Sequence, residues 1–288
     1  MKKSSTFLFI FFLFLTLFFL TSINFLKDFS YLAPLGNSGV LAISGVLIIF
    51  IILLFIYREI ENNKIINQFI TIVTHKIKTP LTGIRWSINL LQKDLTLLEK
   101  EDLLMEMQKA NDRLMEIIDL LVGFARFDNK LEHAPEAVSL EELIDASFNK
   151  NLAMIKDKNI NFFITPKDNL PLVVVDKLRI QFAVDMLVDN AIKYTPANGK
   201  INISFEVNRD YLVLKINDSG IGMGYFDKKN IFKHFFRAKN AQVVDAGGLG
   251  LGLYTARKIV EHNKGKLWAE SEGINKGSTF YLELPIKR

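Results

Sequence analysis

The chain of 288 residues has no cysteine, which excludes a disulfide framework and any thiolate zinc site. Charge of one sign is also scarce. A net charge of +5, from 36 basic and 31 acidic residues, is mild for this length, and no direct nucleic-acid partner is expected from it. What is not scarce is apolar surface: 49% of the residues are hydrophobic, enough to fill a core, so the chain is not a disordered tail. The most telling absence is local. Between Phe7 and Leu26 there is no charge at all, and only Thr16, Thr21, Ser22 and Asn24 interrupt the run. Eight of the 24 Phe fall between residues 7 and 25. A second uncharged run covers Gly39 to Tyr57.

As helices these runs are each about 29 Å long, close to the hydrocarbon thickness of a bilayer. Two transmembrane helices are therefore expected, at 7–26 and 39–57, in a multi-pass protein of the cell (cytoplasmic) membrane. No A-x-A-like site follows the first run, which argues against a cleaved signal peptide. Lys2 and Lys3 precede the first span, and Arg58 and Lys64 follow the second. The positive-inside rule then places both ends in the cytoplasm. The extracytoplasmic loop, 27–38, is too short for a ligand-binding domain. Sensing falls to that loop, to the helices, or to a membrane-protein partner.

From Glu59 the periodicity changes. Ile66, Ile70, Val73, Ile77, Leu81, Ile84, Ile88, Leu91 and Leu95 recur mostly three and four apart, and Leu103, Met107, Ala110, Leu114, Ile117, Leu121 and Phe124 do the same. These are seams of paired helices. A turn at Thr96 to Lys100 predicts an antiparallel hairpin over 58–130, and its limited apolar surface predicts a four-helix bundle in a homodimer. His75 lies about 200° from both Val73 and Ile77, so it faces away from the seam. Pro80, five residues on, removes the helical partner of the Lys76 carbonyl. On the residues alone, an exposed histidine beside a proline is open to an inert reading as well as a chemical one.

A polar linker runs from Phe127 to Val138. The segment 138–288 then mixes strands with helices over Asp176–Tyr194 and Leu251–Asn263, and predicts an α+β sandwich of helices on one sheet. Ser139-Leu-Glu-Glu142 is a capping-box pattern for its first helix. Three motifs there carry chemistry. Asn190, Lys193 and Tyr194 share a helix face, where an amide oxygen and an ammonium suit a metal and a phosphate. Asp218-Ser-Gly220-Ile-Gly222 puts a carboxylate at a strand end, where an amine can be bound while backbone approaches a ring. Gly247-Gly248-Leu-Gly250-Leu-Gly252-Leu opens a helix with glycines that can expose amides to an anion. It is neither a Walker loop nor a dinucleotide fingerprint.

The run Phe69-Ile-Thr-Ile-Val-Thr-His75-Lys-Ile-Lys-Thr79-Pro80-Leu-Thr-Gly-Ile84 resembles the phosphoacceptor box of two-component sensor histidine kinases. The three later motifs, in this order, resemble the ATP-binding fold shared by histidine kinases, type II topoisomerases and mismatch-repair ATPases. The resemblance covers roughly residues 66–286. It implies that His75 takes the γ-phosphoryl group of ATP and hands it to an aspartate of a response regulator. It implies that Thr79 positions water for dephosphorylating that regulator, that Asn190 ligates Mg²⁺, and that Asp218 binds the adenine amino group. Lys193, Tyr194, Gly220 and Gly222 would join the nucleotide site, and Gly248, Gly250, Leu251 and Gly252 would form the lid. Ile231-Phe232-Lys-His-Phe-Phe236-Arg237 matches the aromatic box, with Phe232 beside the nucleotide and Arg237 on the γ-phosphate. Gly277-Ser-Thr279-Phe280 matches the closing strand, with Thr279 at the site.

Two departures stand out. Lys76 follows the histidine where the family usually has a carboxylate, and Met186 stands four residues before Asn190 where the family often has asparagine. Lys76 leaves open a phosphatase-biased or non-catalytic signalling module, and the nucleotide fold by itself leaves open a membrane-tethered ATPase or serine kinase, which would lack the histidine box. The remaining histidines, His133, His234 and His262, are expected to be structural or merely solvated.

Overall fold

A computed structural model describes residues 36–128, 135–165 and 169–287. The expected span 7–26, most of the loop 27–38 and His133 lie outside the described residues. The chain divides into two units, Met1–Gln68 and Phe69–Arg288. Of the first unit the description covers the opening part of α1 (Gly36–Leu91). Here Ile49, Phe50, Ile51, Leu53, Leu54, Phe55 and Ile56 are all exposed. Successive residues are 100° apart, so this stretch is apolar on every side. Among the described residues, no helix is long and apolar enough to cross a membrane.

In the second unit, α1 continues through Pro80 to Leu91, and α2 follows over Leu97–Asp128. Residues 69–77 and 117–121 lie at similar distances from the connection and share one apolar cluster, which makes the two helices a hairpin. The turn falls at Gln92–Thr96, earlier than expected, and Leu95 is outside either helix. The cause is a capping box. The Glu99 amide donates to Thr96 Oγ1 at 3.3 Å, and the Thr96 amide donates to Glu99 Oε2 at 2.8 Å. The α2 seam is covered: Ile117 is buried, and Leu103, Met107, Ala110, Leu114 and Leu121 are half-buried. The α1 seam is split. Val73 and Ile77 pack in the cluster, whereas Ile66, Ile70, Leu81 and Ile88 are exposed in the single chain.

The C-terminal part is the α+β fold expected. A mixed five-stranded sheet has the order β2 (Asn161–Ile164), β4 (Lys200–Asn208), β5 (Tyr211–Asp218), β7 (Ser278–Pro285), β6 (Lys266–Glu270). Only the β2–β4 pair is parallel. The end of the expected linker is a strand, β1 (Glu136–Val138), paired antiparallel with β3 (Val173–Val175). Helices α3 (Leu140–Lys150), α5 (Lys177–Tyr194) and α8 (Gly252–His262) contribute their apolar faces to the core shared with the sheet, and a short α4 (Leu152–Asp157) follows α3. Ser139 caps α3 as its sequence predicts, accepting from the Glu142 amide. Two further short helices, α6 (Tyr225–Asn230) and α7 (Lys239–Val244), flank the approach to α8. On β5 the inward positions are Leu212, Leu214, Ile216 and then Asp218, so strand alternation carries a carboxylate to the end of the core-facing row.

Candidate nucleotide and phosphoacceptor site

A cavity of about 560 Å³ opens between α5, the end of β5 and the segment from Ile231 to Gly252. That size suits a small-molecule ligand. At its inner end Asp218 is buried, and one carboxylate oxygen, Oδ1, accepts from the Gly220 amide at 2.8 Å and the Ser278 amide at 3.2 Å. Burial pushes its pKa up to about 6, against the two amides, which pull it down. The second oxygen accepts no bond from the described residues. It is suited to an amino group of a ligand. Gly222 lets the backbone turn beneath this point. Its φ is +61°, and a side chain there would run into the Gly273 carbonyl.

The other end of the cavity is ionic. Lys193 and Arg237 line it, and both pair with Asp245, at 2.8 and 3.3 Å. Arg113, from α2, reaches the same carboxylate at 3.0 Å. Burial acts to raise the pKa of Asp245, but Lys193, Arg113 and the Gly247 amide outweigh it and hold the carboxyl below its ordinary range. Gly247 and Gly248 leave room for this convergence, since a Cβ at either would meet the guanidinium of Arg113 or Arg237. Asn240 ties the lid to the glycine turn, donating to the Ile221 and Gly222 carbonyls at 3.2 and 3.0 Å.

The expected residues divide. Asn190, Lys193, Tyr194, Asp218, Gly222, Arg237, Gly248, Gly250 and Gly252 all line the cavity. Gly220 stands behind it and acts through its amide on Asp218. Phe232 is buried in the core with the Arg257 guanidinium 5.2 Å from its ring centre, and does not line the cavity. Leu251 faces elsewhere: with Leu249 and Ile117 it forms a cluster into which Phe69, Ile72, Val73, Ile77 and Phe235 pack. Thr279 is a correction. It pairs with Asn217 across β5–β7 and accepts from the Asn217 side-chain amide at 2.8 Å, on the outer face of the sheet. Its neighbour Ser278 faces the cavity instead, because alternation puts Ser278 on the side of Phe280 and Leu282. That parity was readable in the motif. Met186 lines the wall against Gly252, in the place of the amide the family often has.

His75 is exposed on α1, as its angle from the seam requires. Thr79 Oγ1 donates back to the His75 carbonyl at 3.1 Å. Lys76 turns toward the lid. Its ammonium donates to the Ala246 carbonyl of the lid at 2.5 Å. His234 packs against Tyr254 with the rings tilted by 35°, and burial followed by the nearby Lys258 charge lowers its pKa. His262 ends α8.

Two family models match this chain. The histidine kinase A (phospho-acceptor) domain matches residues 65–130, and the histidine kinase-, DNA gyrase B- and HSP90-like ATPase matches residues 175–288. Together they cover well over half of the sequence. The chain belongs to the histidine kinases. This histidine kinase is 29% identical over 243 residues to the sensor histidine kinase WalK of Bacillus subtilis, covering 81% of the chain and 39% of WalK. It is 31% identical over 220 residues to the signal transduction histidine-protein kinase ArlS of Staphylococcus aureus, covering 75% of the chain and 48% of ArlS. It thus spans less than half the length of either relative. Among solved structures, histidine kinase ThkA in complex with response regulator protein TrrA superposes with a TM-score of 0.62 at 26% identity. That match covers 79% of this histidine kinase and 64% of ThkA.

Proposed function

We propose that this chain is an ATP-dependent protein-histidine kinase that phosphorylates His75 and passes the phosphoryl group to an aspartate of a response regulator. One arrangement carries the reading: an exposed histidine whose neighbour, Lys76, binds the lid of the cavity that ends in Asp218 and in the Lys193–Arg237 pair. The cavity fits the nucleotide at both ends. A buried carboxylate with a spare oxygen suits the adenine amino group, and two cations held by an internal carboxylate suit a polyphosphate. Asn190 would hold Mg²⁺ through its amide oxygen, and the ion would neutralise charge on the transferred group.

Nε2 of neutral His75 attacks the γ-phosphorus of the substrate, and the bond to the β-phosphate bridging oxygen breaks with its electron pair leaving on ADP. The ring proton then passes to solvent, since Lys76 is a donor and cannot accept it. Lys193 and Arg237 offset charge on the phosphates. ThkA crystallised with a response regulator supports the same class of partner here. The apolar residues that α1 and α2 leave exposed, among them Leu81, Ile88, Met115 and Ile118, support a homodimer through the hairpin. Membrane attachment through 7–26 and 39–57 rests on the two uncharged runs and on the exposed, all-round apolar surface of residues 49–56.

The test is labelling of the full chain in detergent with γ-labelled ATP. An acid-labile label that disappears in His75→Gln is expected; no label, or an acid-stable one, overturns the reading. Lys76 favours a second reading, a kinase/phosphatase balance tilted toward phosphatase, because no carboxylate assists the imidazole. Lys76→Glu is expected to raise the autophosphorylation rate, and an unchanged or lower rate discards that account.

A further inference from the structure

We propose that Asp245 is an internal stand-in for the terminal phosphate: it seats Lys193 and Arg237, clasps the lid to the phosphoacceptor hairpin, and is displaced when a nucleoside triphosphate enters. The inference rests on the nucleotide reading above and adds a mechanism for coupling the lid to the hairpin.

Three independent cations converge on this one carboxylate. Lys193 comes from α5, Arg237 from the segment before α7, and Arg113 from α2 of the hairpin. Arg237 also donates to the Asp245 and Gly248 carbonyls, so the lid backbone and its carboxylate share one guanidinium. The Asp245 side chain is only 12% exposed, and Lys193, Arg113 and the Gly247 amide keep it ionised. An anion with three cationic partners in a small-molecule cavity is the arrangement a phosphate would adopt. The next residue supplies a second tether. The Ala246 carbonyl accepts from Lys76, on the helix turn that carries His75. Residues 245 and 246 therefore hold the lid to both helices of the hairpin, through Arg113 on α2 and Lys76 on α1.

The consequence is competition. Two negative groups cannot both occupy the Lys193–Arg237 pair at full strength, and an arriving γ-phosphate brings more charge than a single carboxylate. Displacing Asp245 also loosens its hold on Arg113. The nucleotide domain is then freed from one of its two polar tethers as substrate arrives. By linkage, whatever strengthens the clasp must weaken triphosphate binding by the same factor. This gives Lys76 a role that does not depend on the chemistry of the imidazole: it is a positioning residue for the lid.

The experiment uses the full chain in detergent. Binding of ADP and of a non-hydrolysable imido analogue of ATP is measured by calorimetry for the wild type, Asp245→Asn and Asp119→Asn. Asp119 also lines the cavity but is bonded to neither Lys193 nor Arg237, so it controls for the general field. Asp245→Asn is expected to raise affinity for the triphosphate analogue by about tenfold more than for ADP, while Asp119→Asn shifts both ligands alike. Hydrogen exchange of the nucleotide-free protein is read in parallel. Residues 239–248 are expected to exchange faster in Asp245→Asn and in Lys76→Met than in the wild type. Wild-type binding with an unchanged or lowered analogue-to-ADP ratio in Asp245→Asn overturns the competition alone. Unchanged exchange in both variants overturns the clasp. Failure of the wild type to bind either nucleotide overturns the nucleotide reading, and the competition with it.

Discussion

The nucleotide domain and the hairpin solve the same problem in opposite ways. The domain closes its core with its own residues: Leu212, Leu214 and Ile216 of β5 meet Leu187, Val188 and Ile192 of α5, and all six are essentially inaccessible. The hairpin does not. Ile117 is its one buried large side chain among the described residues, and Ile70, Leu81, Ile88, Met115, Ile118 and Val122 remain at the surface. A two-layer fold can satisfy itself, whereas a pair of helices has apolar faces on more than one side and a single neighbour covers one of them. Substitutions that break these two regions should therefore fail differently.

The largest effect is expected at the exposed stripe. Leu81→Glu combined with Ile88→Glu places unpaired carboxylates where a second copy is expected to pack, a cost of several kcal/mol. The dimer should weaken by about a thousandfold in analytical ultracentrifugation, while ADP affinity stays within about twofold of the wild type. Equal loss of both would erase the distinction between the regions. Next comes the closed core. Ile216→Ala should cost about 2–5 kcal/mol in thermal or denaturant unfolding of the nucleotide domain and leave dimer affinity unchanged.

Asp218 gives a third, pH-dependent contrast. Its pKa is raised from 3.8 to about 6 because burial disfavours the charge. Between those values the folded protein holds a proton that the unfolded chain has released. Stability from this group therefore rises as pH falls through 6 and is lost as pH rises through it. The proposed adenine contact needs the carboxylate and moves the other way. Below pH 6 nucleotide affinity should fall by about tenfold per pH unit, and in Asp218→Asn that dependence should vanish along with most of the affinity. Calorimetry between pH 5 and 7.5 checks both trends. The smallest effect is local. Thr96→Ala removes the cap of α2 and should cost about 1 kcal/mol, seen as faster exchange in the first turn of that helix.

Much of this was legible in the residues because it depends on angles and alternation. The exposure of His75 follows from its position relative to Val73 and Ile77, and the α5 face of Asn190, Lys193 and Tyr194 follows from their spacing. The motif match puts Thr279 at the site, but alternation opposes it: Phe280 is plainly a core residue, so its immediate neighbour must point out and Ser278 must point in. The sequence puts the hairpin turn too late because Thr96 and Glu99 read as polar loop, whereas they form the capping box that opens α2. Other features could not be read along the chain. Asp245 sits in an unremarkable stretch of sequence and acquires its role from Lys193, 52 positions away, and from Arg113, 132 positions away. Leu251 lies inside a glycine motif but packs toward the hairpin, a direction that only the tertiary arrangement sets.

The contact between lid and hairpin is built from two unlike materials. Leu249, Leu251 and Phe235 seat on Phe69, Ile72, Val73 and Ile77 without charge, while the Asp245 carboxylate and the Ala246 carbonyl bind the cationic groups of Arg113 and Lys76. Ionic strength screens the second kind and spares the first, whereas cooling weakens the first and leaves the second largely intact. Salinity and cold thus address separate halves of one joint, and a cell that meets both meets two independent ways of loosening it.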